Sequence, residues 1–270
     1  MPPRTNLYMG DGVVVDIAVY VRRGAKAGAV LEAARGLGIP HVLDLSRLRL
    51  DKSPYLHAAE LDLELAEPPS ALVLPLPDDI YRPVLVADLL NVRRIVLPPP
   101  PTVEDLARLH EEAATYGVEV VWLYGRPPLA RPGDVEAVAE AVGPRAARIV
   151  YDVVSAASSK EIVKTLVALQ GYIALMYLSN RKGRRGPRLP PFDVDGVINY
   201  SEVVQAALLL QWEGQYVVRM APQFADKLSL QVAVLNEMAE TFRNAGRASR
   251  KVQRMVAAVF DEIFAGSGLD

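Results

Sequence analysis

The strongest constraint on this fold is an alternation. Short apolar runs rich in β-branched residues recur along the chain: VVVDIAVYV from Val13, IPHVLDL from Ile39, SALVLPLP from Ser70, RRIVLPPPP from Arg93, VEVVWLYG from Val118 and ARIVYDVVS from Ala147. Between them lie stretches of helical period, such as GAKAGAVLEAARGLG from Gly24 and TVEDLARLHEEAATYG from Thr102. An apolar run without polar alternation is a strand covered on both faces. Joined to the next strand by a helix, it pairs with it in parallel.

IALMYLSN from Ile173 and YVVRM from Tyr216 extend the count to about eight strands, the number of a closed barrel. The pattern predicts an α/β fold, a single (β/α)8 barrel domain over residues 1–270, with an open doubly wound sheet as the structural alternative. Two further helices, from Asp226 to Gly246 and from Ser249 to Gly266, follow the last strand. The second is apolar through Val252, Met255, Val256, Val259 and Phe260, a face suited to covering the barrel or a twin subunit in a homodimer.

Local signals place several helix starts. Asp78 and Asp79 suit an N-terminus, Thr102 is a cap with Asp105 in the capping-box position, Asp134 opens another helix, and Ser158 or Ser159 a further one. Residues 46–70 are the least legible: DKSPYLHAAELDLELAE suits one helix, or a helix and an irregular piece, and neither is chosen.

Composition removes several classes of chemistry. With no cysteine there is no disulfide, no thiolate nucleophile and no thiolate metal site. The three histidines, His41, His57 and His110, are scattered and form no ligand-spaced pair. No phosphate-cradling P-loop, dinucleotide glycine motif or hydrolase elbow occurs, and no cofactor is expected. The N-terminus lacks the pattern of a signal peptide and no apolar run is long enough for a bilayer, so a soluble, cytoplasmic protein without a membrane partner is expected. A net charge of −2 creates no global field, so any electrostatic function must be local. Arginine in excess of lysine and 21 prolines fit a thermophilic source.

The segment AVLEAARGLGIPHVLDL and the closing unit LPPFDVDGVINYSEVVQAALLLQWEGQYVVRM resemble the xylose isomerase-like TIM barrels, which include sugar isomerases and epimerases and the endonuclease IV type of repair enzyme. The likeness runs from about Val13 to Ala221 in pattern and spacing more than identity. It implies acidic and histidine side chains at the C-terminal strand ends, holding a divalent metal that polarises a substrate carbonyl. Carried over residue by residue, most of that set is missing. Leu123, beside Tyr124, stands where the fifth strand would end in glutamate. Asp152 keeps the sixth-strand aspartate, with Ser155 where a histidine commonly follows. Tyr177 and Asn180 replace the seventh-strand His-x-x-Asp, and Arg219 replaces the final glutamate. The resemblance therefore implies a divergent, metal-free member.

Two features are candidates to replace the metal. Asp152 and Arg219 are expected to meet at the barrel mouth beside Tyr177, either to bind an anion or only to fill the lost ion's space with a salt bridge. The loop RKGRRGPR brings Arg181, Lys182, Arg184, Arg185 and Arg188 directly after the seventh strand. It suits a small anionic ligand such as a sugar phosphate or a nucleic-acid backbone, and a solvated surface loop is the bland alternative. Candidate ligand-binding residues are thus Asp152, Ser155, Tyr177, Asn180, Arg219, Arg181, Lys182, Arg184 and Arg185; no catalytic residue is assigned. Asp16 in strand one and Asp44 near the end of strand two each need a polar partner. Two functions follow: a sugar isomerase-like barrel binding or transforming a small anion without a metal, or a non-catalytic, nucleic-acid-associated or scaffold protein using residues 181–188.

Overall fold

In a computed structural model, which describes residues 15–24, 27–62, 67–156, 158–183 and 188–265, the apolar runs form a closed barrel. Its strands are β1 (Ile17–Arg22), β2 (His41–Asp44), β3 (Ala71–Val73), β4 (Arg94–Leu97), β5 (Glu119–Leu123), β6 (Ile149–Asp152), β7 (Ile173–Leu178) and β10 (Gln215–Arg219). All pair in parallel, and β10 closes on β1. The two remaining strands, β8 (Asn180–Arg181) and β9 (Arg188–Leu189), form a small antiparallel hairpin beyond β7.

Each barrel strand buries both faces, which explains the absence of polar alternation. Small side chains fill the interior, among them Ala18, Val42, Ala71, Val96, Val121 and Val217. Leu72, Ile95, Trp122 and Val218 point outward against the helices. The helices between strands are α1 (Ala27–Gly36), α2 (Pro54–Asp62), α3 (Arg82–Leu89), α4 (Val103–Thr115), α5 (Pro132–Val142), α6 (Ser159–Leu169) and α7 (Tyr200–Leu209). After β10 come α8 (Leu228–Ala245) and α9 (Arg250–Ala265), separated by Gly246, whose φ of 63° ends α8 in the left-handed region glycine tolerates.

The local signals hold at some helix starts and move at others. Thr102 Oγ1 accepts from the Asp105 amide at 3.1 Å, and its hydroxyl donates to Asp105 Oδ2 at 2.9 Å. Ser158, not Ser159, caps α6. Helix α3 begins at Arg82, later than the aspartates suggest; Asp79 Oδ1 accepts from the Tyr81 amide in a turn, and Pro83 suits the first helical positions. Helix α5 starts at Pro132, and Asp134 Oδ2 reaches back to accept from the Arg131 amide. The unassigned stretch contains α2. Asp16 lies just outside β1 rather than within it, exposed, where it accepts from Gln215 Nε2 at 2.9 Å. The apolar face of α9 is taken up by the barrel's own helices: Val252, Val256 and Val259 pack with Val163 and Val167 of α6 and Ala206 of α7.

One irregularity decides what faces the mouth. The β6–β7 register shifts between Ile149 and Val150, which pair with Ile173 and Leu175. The extra residue, Ala174, is a β-bulge, and a one-residue slip exchanges the two faces of everything beyond it. Leu175 and Tyr177 therefore point into the barrel, while Met176 and Leu178 join the outer layer.

Candidate functional site

The inward positions at the C-terminal ends of β1, β2, β6, β7 and β10 carry Tyr20, Arg22, Asp44, Asp152, Tyr177 and Arg219. Register sets these side chains beside one another: Tyr20 is opposite Arg219, Arg22 opposite Asp44, and Asp152 opposite Tyr177. Strand β7 separates β10 from β6, and Arg219 is long enough to reach past Tyr177.

Arg219 Nη1 donates to Asp152 Oδ2 at 2.9 Å, and its guanidinium carbon sits 4.3 Å from the Tyr20 ring centre and 5.5 Å from that of Tyr177. The two tyrosine rings meet edge to face at 5.2 Å. A second guanidinium reaches the same carboxylate. Arg188 Nη2 donates to Asp152 Oδ2 at 2.7 Å, and Arg188 Nη1 donates to Ser179 Oγ at 2.7 Å and to Asp152 Oδ1 at 3.3 Å. Two cations thus share one anion, leaving an excess of positive charge only partly shielded, since Arg188, Arg219 and Asp152 are 36%, 24% and 26% exposed.

Asp44 gains the partners its apolar strand demanded. Oδ1 accepts from the Ser46 amide at 2.9 Å, Oδ2 lies 3.8 Å from Arg22 Nε, and the Tyr20 hydroxyl lies against the carboxylate. Burial pushes the Asp44 carboxyl up, but the Ser46 and Tyr20 interactions and the Arg22 charge outweigh it and hold it below the usual carboxylate range. Burial pushes the Tyr20 and Tyr177 phenols up, so both are neutral hydroxyls across the physiological range. The Tyr177 hydroxyl, fully buried, has no hydrogen-bond partner among the described residues.

A cleft of about 430 Å³ opens over this cluster, lined by Tyr20, Arg22, Arg23, Arg188 and Arg219, with Ala27 at the start of α1. That volume is of small-molecule size. The α1 first turn holds no acidic residue, so the positive end of the helix adds to the field of the arginines.

The expected site residues separate. Asp152, Tyr177 and Arg219 converge. Ser155 sits at the rim, exposed, with its hydroxyl donating to the Asp152 carbonyl at 2.7 Å. Asn180 is buried beneath the following loop and spends its whole amide on backbone: Nδ2 donates to the carbonyls of Pro191 (2.9 Å) and Ile198 (3.1 Å), and Oδ1 accepts from the amides of Arg181 and Ile198 (both 3.0 Å). Arg181 donates to the Ala156 carbonyl at 2.9 Å, and Lys182 pairs with Asp195 at 3.0 Å on the surface. Arg184 and Arg185 lie outside the described residues. Sequence reasoning passed over Tyr20 and Asp44 as ligands and saw Arg188 only as one charge in a run. The available signal was parity: Ala18, Tyr20 and Arg22 are two residues apart and must share a face.

The divalent cation implied by the resemblance does not fit these residues. A hard cation needs several oxygen or nitrogen ligands converging from different strands. Asp152 is engaged by two guanidiniums, while Leu123, Tyr177 and Arg219 hold the other strand ends. Among the described residues no three histidine or carboxylate side chains cluster as a metal site would require. Buried His57 accepts from the Lys52 amide on Nε2 at 3.1 Å.

No family model matches the sequence, and no curated protein matches it. Among solved structures, a protein from Pseudomonas aeruginosa provisionally assigned as a dihydrodipicolinate synthetase aligns over 92% of this chain and 83% of its own, with 11% identity and a TM-score of 0.47. A likeness at that level carries no argument about ancestry or chemistry. The chain is a (β/α)8 TIM barrel on its own strand order. Among the described residues no helix is long and apolar enough to cross a membrane.

Proposed function

We propose that the C-terminal mouth binds a small anionic ligand of the sugar phosphate type, on a divergent xylose isomerase-like barrel in which fixed guanidinium charge takes the place of the family's metal. The observation that carries this reading is the convergence of Arg188 and Arg219 on Asp152 at the wall of the cleft. A guanidinium fork matches phosphate or carboxylate oxygens, and the Tyr20 ring holds the Arg219 fork before the ligand arrives. Kinship with the xylose isomerase-like barrels is supported by the retained Asp152 and by the likeness of the closing unit from Leu189 to Met220.

The small-ligand reading is preferred to the nucleic-acid or scaffold reading because Arg181, Lys182 and Arg188 each have a protein acceptor, and Arg188 turns inward. Calorimetric titration with fructose 6-phosphate tests the proposal. Binding is expected, weakened by salt and lost in Arg219→Met. Absence of binding, together with salt-sensitive association with a DNA duplex that disappears in Arg184→Ala/Arg185→Ala, sinks it in favour of the nucleic-acid reading.

A further inference from the structure

The cleft of about 430 Å³ is lined by two kinds of side chain. One is the guanidinium group, supplied at the anion site by Arg188 and Arg219. Arg22 and Arg23 also border the cleft, but Arg22 faces Asp44 and Arg23 acts on the Glu60 carboxylate, so neither is counted as an anchor. The other kind is carbon. Val21, Val30 and Met220, otherwise part of the core, reach the cleft, and so do the half-buried Ala27, Ala221 and Pro222.

The apolar part begins at the cation. Met220, Ala221 and Pro222 follow Arg219 directly in the chain, and consecutive Cα atoms are about 3.8 Å apart. Helix α1, which carries Ala27 and Val30, packs on the turn Pro222–Lys227, so the two sets of carbon side chains meet.

What the lining lacks decides the ligand's body. Among the described residues no carboxylate, amide, serine or threonine side chain lines the cleft, and the one hydroxyl, that of Tyr20, lies against Asp44. Arginine donates hydrogen bonds and accepts none. The Gly24 and Ala221 carbonyls at the edge already accept from the Ala27 amide at 2.9 Å and the Phe224 amide at 3.0 Å. A polyol lying here would bring hydroxyl protons against carbon, where an unpaired donor is unfavourable. A hydrocarbon has no such requirement.

We infer that the cleft selects a compact amphipathic anion, with a phosphate head on Arg188 and Arg219 and an apolar body against Ala27, Met220, Ala221 and Pro222. This rests on the anionic-ligand reading of the cleft and narrows it: the phosphate head stays, and the body is a short hydrocarbon rather than a polyol. Each methylene buried there should tighten binding about fourfold.

The test is calorimetric titration of the full chain with hexyl phosphate, fructose 6-phosphate and inorganic phosphate at constant ionic strength. The two organic probes share one phosphate and six carbons and differ in their oxygen atoms. Hexyl phosphate is expected to bind at least about tenfold more tightly than fructose 6-phosphate. Ala27→Leu, which fills the apolar part, is expected to reduce hexyl phosphate to the affinity of inorganic phosphate while inorganic phosphate binds as it does to wild type, which also shows that the variant is folded. Equal binding of the two six-carbon probes, or an Ala27→Leu variant that holds hexyl phosphate unchanged, overturns the inference and leaves the anion cleft standing. If none of the three binds, both fall. The same chemistry occurs in a lipid headgroup, and co-sedimentation with phosphatidylcholine vesicles containing phosphatidic acid separates the sources. None is expected; sedimentation that Arg219→Met abolishes would overturn the inference of a small free ligand.

Discussion

The Arg219 guanidinium carbon lies 4.3 Å from the centre of the Tyr20 ring, and the two residues are register partners on adjacent strands. The ring stands between the cation and the Asp44 side of the mouth, so it both attracts the charge and fixes where the fork points. Tyr20→Leu removes that face. It is expected to cost about 0.5–2 kcal/mol from the lost cation–π contact, a fall of roughly 2–4 °C per kcal/mol in thermal melting for a chain of this size. Tyr20→Phe keeps the ring and should retain most of the anion affinity.

Asp152 restrains two cations, and its loss has opposite effects on stability and binding. Asp152→Asn leaves Arg188 and Arg219 without a charged partner in a part-buried site and is expected to destabilise by about 1–3 kcal/mol. It also removes the negative charge nearest the cleft, so phosphate affinity should rise. Urea unfolding and phosphate titration of the same variant check both signs; a fall in affinity would mean that Asp152 holds the fork in position more than it competes for it.

The Asp44 carboxyl, held below its ordinary range by Ser46, Tyr20 and Arg22, couples stability to acid pH. The folded chain keeps the group ionised to lower pH than the unfolded chain does. Its stabilisation is therefore complete above about pH 4, the ordinary carboxyl range, and is lost as pH falls through the folded value. Melting temperatures of wild type and Asp44→Asn measured from pH 7 to 3 should differ most near neutrality and converge in acid.

Arg188 reaches the site because the preceding and following chain is clasped by Asn180. A Cβ at position 196 would overlap the Asn180 amide. Gly196→Ala must displace that clasp, at a cost of about 1–3 kcal/mol in the manner of overpacked cores, and is expected to weaken phosphate binding although no atom of residue 196 lines the cleft. Asn180→Ala should do the same by leaving the Arg181 and Ile198 amides without their acceptor.

Much of the fold was legible because its signals are local. Runs such as VVWL and IALMYL are long enough to declare strands covered on both sides, and Thr102 and Ser158 announce helix starts through hydrogen bonds spanning only three residues. The Asp78–Asp79 start was misread because an aspartate followed by Tyr81-Arg82-Pro83 makes a turn as readily as a cap. Asn180 stands where the resemblance implies a strand-end ligand; the bulge at Ala174 brings Tyr177 and Ser179 to the inner face and leaves Asn180 to the loop.

The sequence by itself determined the alternation of strands and helices, the absence of thiol chemistry, and an arginine, Arg219, at the last strand end. These depend on residue identity and short-range period. Only the tertiary structure decided that Arg219 lies over Tyr20, that Arg188 turns inward to share Asp152, and that Arg47 and Arg49 stand beside Arg22 and Arg23. Such contacts join residues up to about two hundred positions apart, and they depend on parallel register, on one bulge and on the closure of β10 against β1, none of which a local pattern encodes.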